Sequence, residues 1–340
     1  MFLFAFLEGK TQTVIRVVNG QNLQTVIDNA TAGSTIMVEA GTYGSINVNK
    51  KIEFIGTGYN LNNGVTAYIG VSILGNVNFL VGSEQSKIQG FQSGDINVGA
   101  SSVWVQRNKC STIRIGYNGS VTLRADNVLV KQNIGGRPEV FAQSIGFLIK
   151  NNLFSQGISL ETSGLGQVLY NTFNYDSQTI GQDEYQSPSR QAVNVEIKNN
   201  IFGQLFDYGY NQQNMLFCVN CTITIPYILQ NNVFEGRLYD YTLATPYPET
   251  NKIFINFTNM YLAFPNNPNN LQEDARYQLH PNSPAKGAGE NGTDAGAFGG
   301  DEPYILSGIP SIPTIYQLTV PANVPQGGTL NVQIKAKTNN

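Results

Sequence analysis

The feature that most constrains the fold is an asparagine that returns at the same place in a repeated pattern. The pattern is apolar–x–apolar–x–x–Asn, and successive asparagines are 25, 19, 19, 29 and 32 residues apart. Self-similarity at a period of roughly 20–50 residues is typical of solenoids, in which each repeat forms one coil. The short spacings suit a bare coil, and the long ones suit a coil with an inserted loop. The repeated asparagines are Asn108, Asn133, Asn152, Asn171, Asn200 and Asn232.

Short alternating apolar runs lie between these asparagines. Apolar residues two apart place one side of a strand in a core, and three such runs in each repeat predict one coil of a parallel β-solenoid. A flat parallel sheet would need crossover helices, which a chain with 35 Gly and only 13% charged residues disfavours. The strands predicted in the first full repeat carry the pairs Ile113/Ile115, Val121/Leu123 and Val128/Val130.

The repeated asparagines are predicted to be structural. A tight bend needs a residue in the left-handed region, which asparagine tolerates, and stacked asparagine amides can form a hydrogen-bonded ladder. Two residues later comes a position expected to turn inward and stack on its neighbours. Lys131, Lys150 and Lys198 precede the asparagine by two residues and are expected to form a solvated face. The inward position holds Cys110, expected to be a small buried hydrophobe, then Gly135, Phe154, Phe173, Phe202 and Phe234.

Both ends of the chain carry candidate caps. Leu23, Val26, Ile27 and Ala30 follow helical spacing after Asn22, a capping residue, so they predict a short helix that closes the first coil. Near the other end, alternating apolar residues on both sides of a Pro- and Gly-rich turn predict a terminal hairpin. The predicted division is 1–10 as a signal-peptide remnant or a first strand, 11–300 as the solenoid, and 301–340 as a Pro-rich capping and hairpin segment.

Composition excludes several classes of function. The net charge is −3 with no basic stripe, so nucleic acid is not an expected partner. No apolar run reaches 18 residues, so no membrane span is predicted. His280 is the only histidine, which excludes a His-based catalytic triad and a multi-histidine metal site. Cys218 and Cys221 are interpreted as a local disulfide or as two free thiols, and no metal site is predicted.

Three segments then indicate a family. The segment LQTVIDNATAGSTIMVEAGTYGSINVNKKIEFIG resembles the opening coil of secreted right-handed parallel β-helix proteins of the pectin-lyase-like superfamily. The segment YQLHPNSPAKGAGENGTDAGAFGG resembles their closing coil, and DEPYILSGIPSIPTIYQLTVP is similar to the end of uncharacterised β-helix proteins from Bacteroidetes. The resemblance implies an all-β, right-handed, three-strand parallel β-helix from a bacterium, exported or displayed at the cell surface in a carbohydrate-rich setting. Many relatives cleave polysaccharides, but a fold alone does not specify a reaction.

The catalytic residues of that superfamily do not map onto this chain. The Asp-Asp pair and the Gly-His-Gly segment of polygalacturonase-type relatives are absent, and no dense acidic motif matches the calcium site of pectate-lyase-type relatives. The sequence therefore leaves open whether the chain is an enzyme. Calcium is expected only if it is a lyase.

Inserted loops in the long repeats are the predicted functional region, because insertions of a solenoid tend to share one face. The main hypothesis is an exported protein that contacts polysaccharide through tyrosines in these loops. One alternative is a lyase or glycoside hydrolase that acts on acidic glycans, and another is a non-catalytic structural or adhesive module. The catalytic candidates are Asp183, Glu184, Asp207 and Arg190. The carbohydrate-binding candidates are Tyr175, Tyr185, Tyr208, Tyr210, Tyr239 and Tyr241.

Overall fold

The computed structural model shows a chain built almost entirely from short β-strands. It describes residues 13–60, 70–141, 144–160, 165–173, 195–203, 228–235, 252–254, 259–263, 269–321, 323 and 326–339. Helical structure in these residues is confined to α1 (Leu23–Asn29) and three single 3₁₀ turns, at Asp274–Tyr277, Glu290–Gly292 and Leu306–Gly308. None of the helices in this part of the chain is long and apolar enough to cross a bilayer.

Most strands are short because they cross only one side of a coil. In chain order they are β1 (Val14–Val17), β2 (Thr35–Val38), β3 (Gly41–Thr42), β4 (Ile46–Val48), β5 (Glu53–Ile55), β6 (Ser72–Ile73), β7 (Val77–Phe79), β8 (Lys87–Gln89), β9 (Ile96–Val98), β10 (Trp104–Gln106), β11 (Lys109–Ile115), β12 (Leu129–Lys131), β13 (Ile134–Val140), β14 (Phe147–Lys150), β15 (Leu153–Phe154), β16 (Ser159–Leu160), β17 (Gly166–Leu169), β18 (Thr172–Phe173), β19 (Val195–Lys198), β20 (Ile201–Phe202), β21 (Ile228–Gln230), β22 (Val233–Glu235), β23 (Lys252–Phe254), β24 (Thr314–Thr319) and β25 (Gln333–Lys337).

Two long parallel sheets run along the molecule. The first has ten strands in the order β1-β2-β5-β8-β10-β12-β14-β17-β19-β21, and the second follows β23-β22-β20-β18-β15-β13-β11-β9-β7-β4 with β16 also paired to β13. Neighbours in each sheet belong to successive coils, so the chain winds as a parallel β-solenoid and the predicted fold class is confirmed. The predicted terminal hairpin is also present, as the antiparallel pair β24–β25.

Each coil has three faces. Face 1 is the first sheet. Face 2 is the part of the second sheet that directly follows the asparagine, such as residues 109–110, and face 3 is the part beyond its bend, such as residues 113–115, which pair with β9. The strand predicted at Val121 and Leu123 is wrong: Val121 is exposed on a turn closed by the isolated bridge Tyr117–Thr122. The third side of that coil is instead formed by residues 109–110 of β11, a segment too short to produce an alternating pattern.

The six repeated asparagines lie in one file between faces 1 and 2, and all six are fully buried. The Nδ2 atom of each donates to the Oδ1 atom of the next, at 3.2, 3.0, 2.9, 3.0 and 3.0 Å along the file. The prediction that these asparagines adopt the left-handed conformation is wrong. The preceding residue does so, with φ between 53° and 60°, and this turns the asparagine side chain inward. These left-handed residues are Arg107, Gln132, Asn151, Tyr170, Asn199 and Asn231.

The core lies inside the coils. The predicted aromatic column is confirmed for Phe154, Phe173 and Phe202, whose rings stack with centroids 5.7 and 4.9 Å apart, and Cys110 is buried in the same cluster. At the start of the solenoid, Asn22 caps α1 by accepting from Thr25 N at 3.0 Å, as predicted. Gln24 on the same helix bonds both N and O of Asn47 in β4, so the helix satisfies the open edge of the second sheet.

Residues 287–311, here called the strap, run back along the asparagine corner. The side chains of the left-handed corner residues hold it. Asn199 Oδ1 accepts from Glu290 N at 2.8 Å, and at the far end Arg107 Nη1 donates to Ile309 O at 3.0 Å. The strap contributes no strand to either sheet, so residues 287–300 of the segment that resembles a closing coil (277–300) lie outside the two sheets. Its Glu302 pairs with Lys131 and Lys150, so the expectation of a solvated lysine face is wrong at these two positions.

Candidate functional site

The candidate residues of the inserted loops lie outside the described residues. This applies to the catalytic candidates Asp183, Glu184, Asp207 and Arg190 and to all six tyrosines. Cys218 and Cys221 also lie outside them. These predictions therefore remain predictions. The site described below is built from residues that were not among the candidates.

Face 3 carries a row of polar side chains that point away from the core, one from each of five successive coils, and two of them, Asn97 and Glu139, are buried. The row occupies a single register position across β4, β7, β9, β11 and β13, because side chains at matching positions of parallel strands stack directly above one another. Its amide members are hydrogen-bonded in sequence, with Asn78 Nδ2 to Asn47 Oδ1 and Asn97 Nδ2 to Asn78 Oδ1 both at 2.8 Å. The row consists of Asn47, Asn78, Asn97, Arg114 and Glu139.

Two arginines and two carboxylates form a cluster at one end of this row. Arg114 lies between two coils: its Nη1 is 2.6 Å from Asp95 Oδ2 and its Nε is 2.7 Å from Glu139 Oε2. Arg137 Nε bonds the other oxygen of Glu139 at 2.6 Å. The side chains of Asp95, Arg114 and Arg137 are each about a quarter exposed, whereas that of Glu139 is 6% exposed. The face-3 cluster, as we call these four residues, therefore presents both donors and acceptors to solvent with zero net charge.

The environment of Arg114 keeps its guanidinium charged. Partial burial by itself lowers the pKa of Arg114, but the hydrogen bonds and negative charges of Asp95 and Glu139 outweigh it, and the net pKa is raised. A side chain can act as a general base only if it is unprotonated at the operating pH. Arg114 holds its proton more tightly than an ordinary arginine, so it is suited to binding and unsuited to proton abstraction.

Two aromatic rings lie beside the face-3 cluster. Tyr117, on the turn that follows β11, has its ring centroid 5.9 Å from the Arg114 guanidinium carbon and 6.2 Å from the ring of Phe141. Both rings are half-buried. Aromatic faces beside charged hydrogen-bonding groups offer apolar area and directional polar contacts together, a combination suited to sugar rings.

The described residues hold no group of three or more His, Cys, Asp and Glu side chains placed to bind a metal ion. In the face-3 cluster, Arg114 occupies the space between the two carboxylates. The guanidinium of Arg114 therefore supplies the positive charge between these two carboxylates.

Sequence reasoning missed this surface, although a signal for it exists. Three coils repeat an apolar–polar–apolar triplet with asparagine in the middle, at β4, β7 and β9, and the next coil has arginine at the same place. The middle residue of such a triplet must face outward when its neighbours are buried. Each triplet is too short to stand out before the coils are aligned.

Comparison with protein-family models gave no match to this chain, and comparison with curated proteins gave none either. The functional assignment therefore rests on the chemistry of the residues described above.

Proposed function

We propose that the protein binds polysaccharide along the outer surface of face 3, as an exported β-helix protein related to the pectin-lyase-like superfamily. The observation that supports this is the face-3 cluster, set at the end of a hydrogen-bonded amide row and beside the Tyr117–Phe141 pair. A row of polar groups repeated at the strand spacing of roughly 4.8 Å matches a linear polymer better than a single small molecule.

The charge balance of the face-3 cluster favours a neutral glycan. A polyanionic chain such as a polyuronate needs cations whose charge is not already compensated, and both arginines of the cluster are paired with carboxylates. Hydroxyl groups can instead bond to the partly exposed edges of these ion pairs. The amides of Asn47 and Asn78 extend the same neutral chemistry along the row.

The proposal is tested by migration in gels that contain neutral polysaccharides (xylan, β-glucan, galactomannan) or acidic ones (pectate, alginate, chondroitin sulfate). We expect retardation by at least one neutral polysaccharide and roughly tenfold weaker binding for Arg114→Ala, since it loses charge-assisted hydrogen bonds. Arg124→Ala is the matched control, because Arg124 forms a comparable pair with Asp126 at an exposed turn. The proposal would be overturned if both variants were retarded equally. It would also be overturned if no gel retarded any of these proteins.

The same polysaccharides test the enzymatic alternatives. Absorbance of unsaturated products would identify a lyase, and new reducing ends without that absorbance would identify a hydrolase. Arg114 is unsuited to act as a base, so we expect any lyase activity to survive Arg114→Ala. Such survival would place the chemistry elsewhere on the chain.

A further inference from the structure

A cleft of about 240 Å³ lies on the outer side of face 2, away from the face-3 cluster. Its walls are four successive coils on one side and residues Glu273 and Tyr277, at the 3₁₀ turn Asp274–Tyr277, on the other. Lys109 and Glu273 form an ion pair, and their side chains are 32% and 47% exposed, so they lie at the rim. Cys110 and Phe154 also line the cleft, and both residues are buried. The remaining lining residues are Ile134, Gly135, Gly136, Leu153, Ser155, Thr172 and Tyr277.

Two glycines of one coil line the cleft. Gly135 occupies the inward column position that is phenylalanine in later coils, and Gly136 follows it. A Cβ atom at Gly135 would lie 2.4 Å from Cys110 O, and one at Gly136 would lie 2.3 Å from Ser111 O. The close approach of the neighbouring coil requires bare backbone at both positions.

The lining restricts what the cleft can hold. Among the described residues that line it, Lys109 is the only cation, and Glu273 already pairs with it, so these residues offer an anion no uncompensated positive charge. Burial raises the pKa of the Cys110 thiol to about 12, so this sulfur is neither a thiolate metal ligand nor a nucleophile at ordinary pH. Sites for drug-sized ligands have volumes of roughly 300–1,000 Å³, so this cleft suits something smaller.

We propose that the cleft binds one neutral sugar unit of pyranose size. The apolar side of the ring packs on Ile134, Leu153 and Tyr277, while its hydroxyls meet Ser155 and the Lys109–Glu273 pair, which offers both donors and acceptors. The proposal stands on the lining of the cleft alone and does not depend on polymer binding at face 3. A ligand of this size with few contacts is expected to bind with a dissociation constant in the millimolar range.

Saturation-transfer NMR and calorimetry with the methyl glycosides of glucose, galactose, mannose and xylose test this proposal, with glucuronate and galacturonate as charged counterparts. We expect at least one neutral glycoside to bind and the uronates to bind more weakly. Ser155→Phe fills the cleft and should weaken binding at least roughly tenfold. Ser120→Phe is the matched control, because the same change is made at an exposed turn.

A second variant tests the role of charge. Glu273→Gln leaves Lys109 without its carboxylate, so this variant should gain affinity for the uronates, by roughly tenfold, relative to the neutral glycosides. Arg114→Ala should leave binding in the cleft unchanged, which separates this site from the one at face 3. The proposal is overturned if no glycoside binds at tens of millimolar, if Ser155→Phe binds as well as Ser120→Phe, or if the original chain prefers uronates.

Discussion

The Nζ atom of Lys150 lies 2.7 Å from Oε2 of Glu302 in the strap. The same carboxylate is 2.8 Å from Nζ of Lys131, one coil earlier, so a single strap residue joins two neighbouring coils. Hydrogen bonds from Lys131 and Lys150 lower the pKa of Glu302 from 4.5 to about 2. The strap is therefore attached most firmly when this carboxylate is charged.

The first prediction concerns acid stability. Because the pKa of Glu302 is lower in the folded protein than in the unfolded chain, its contribution is complete above pH 4.5 and is lost as the pH falls toward 2. Glu302→Gln should lack this contribution. Glu302 is 44% exposed, so solvent screening limits the effect to about 1 kcal/mol or less. Urea unfolding at pH 7 and pH 2.5 measures it, with Glu290→Gln, whose side chain is exposed, as the control. A difference between the two variants that does not shrink at low pH would contradict the assignment.

Asp274 is predicted to have the opposite pH dependence. Its carboxylate is fully buried, accepts from Ser307 N at 2.5 Å and lies close to the hydroxyl-bonded pair Tyr59 and Tyr304. Burial raises the pKa of Asp274 above its ordinary 3.8 in spite of these hydrogen bonds. Its contribution is therefore present below pH 3.8 and is lost as the pH rises through the folded-state pKa.

Asp274→Asn removes that titration. The stability of Asp274→Asn relative to the original chain should improve as the pH is raised from 3 to 7, whatever its absolute value. The free energies of unfolding of both proteins across this range test the sign. A relative stability that falls with rising pH would show that Asp274 is better stabilised as the charged form than its surroundings indicate.

Asn152 is predicted to be a critical member of the asparagine file. Its Nδ2 donates to Val130 O, Lys150 O and Asn171 Oδ1 at 2.9–3.0 Å, and its Oδ1 accepts from Asn133 N at 2.9 Å. Asn152→Ala would leave several of these buried groups unsatisfied at about 1–3 kcal/mol each, so we expect a loss of about 2–4 kcal/mol. Chemical unfolding measures it, with Asn282→Ala in an exposed turn as the control. Equal stability of the two variants would mean that water replaces the amide at the corner.

The sequence predicted the winding of the chain because the coil repeats one physical requirement at each corner. Asn133 and Asn152 must both be asparagine, since each has to donate to backbone carbonyls and to the next amide. The residue before them is under a different constraint. Gln132 and Asn151 hold different parts of the strap, so their types vary and no pattern marked them as the true left-handed positions.

The strap and the face-3 cluster could not be predicted for a related reason. Lys131 and Glu302 are 171 residues apart, and neither lies in a motif that indicates its partner. Arg114 pairs with Asp95 and Glu139, 19 and 25 residues away, through the register of the coils. That register is known only once the inserted turn around Val121 is recognised as lying outside the strands.

The last prediction uses Cys110 as a reporter of coil opening. The thiol is 6% exposed, and its pKa is raised to about 12 by burial and then by the charge of Asp95, while alkylation requires an accessible thiolate. In a Cys218→Ser/Cys221→Ser background, iodoacetamide should therefore label the folded protein at pH 8 only as fast as the coil opens. Asn133→Ala, which removes the amide that accepts from Asn108 N at 2.9 Å, should accelerate labelling, whereas Asn282→Ala should not. Intact-mass spectrometry follows the reaction, and rapid labelling of the unmutated corner without denaturant would show that Cys110 lies in an open part of the coil.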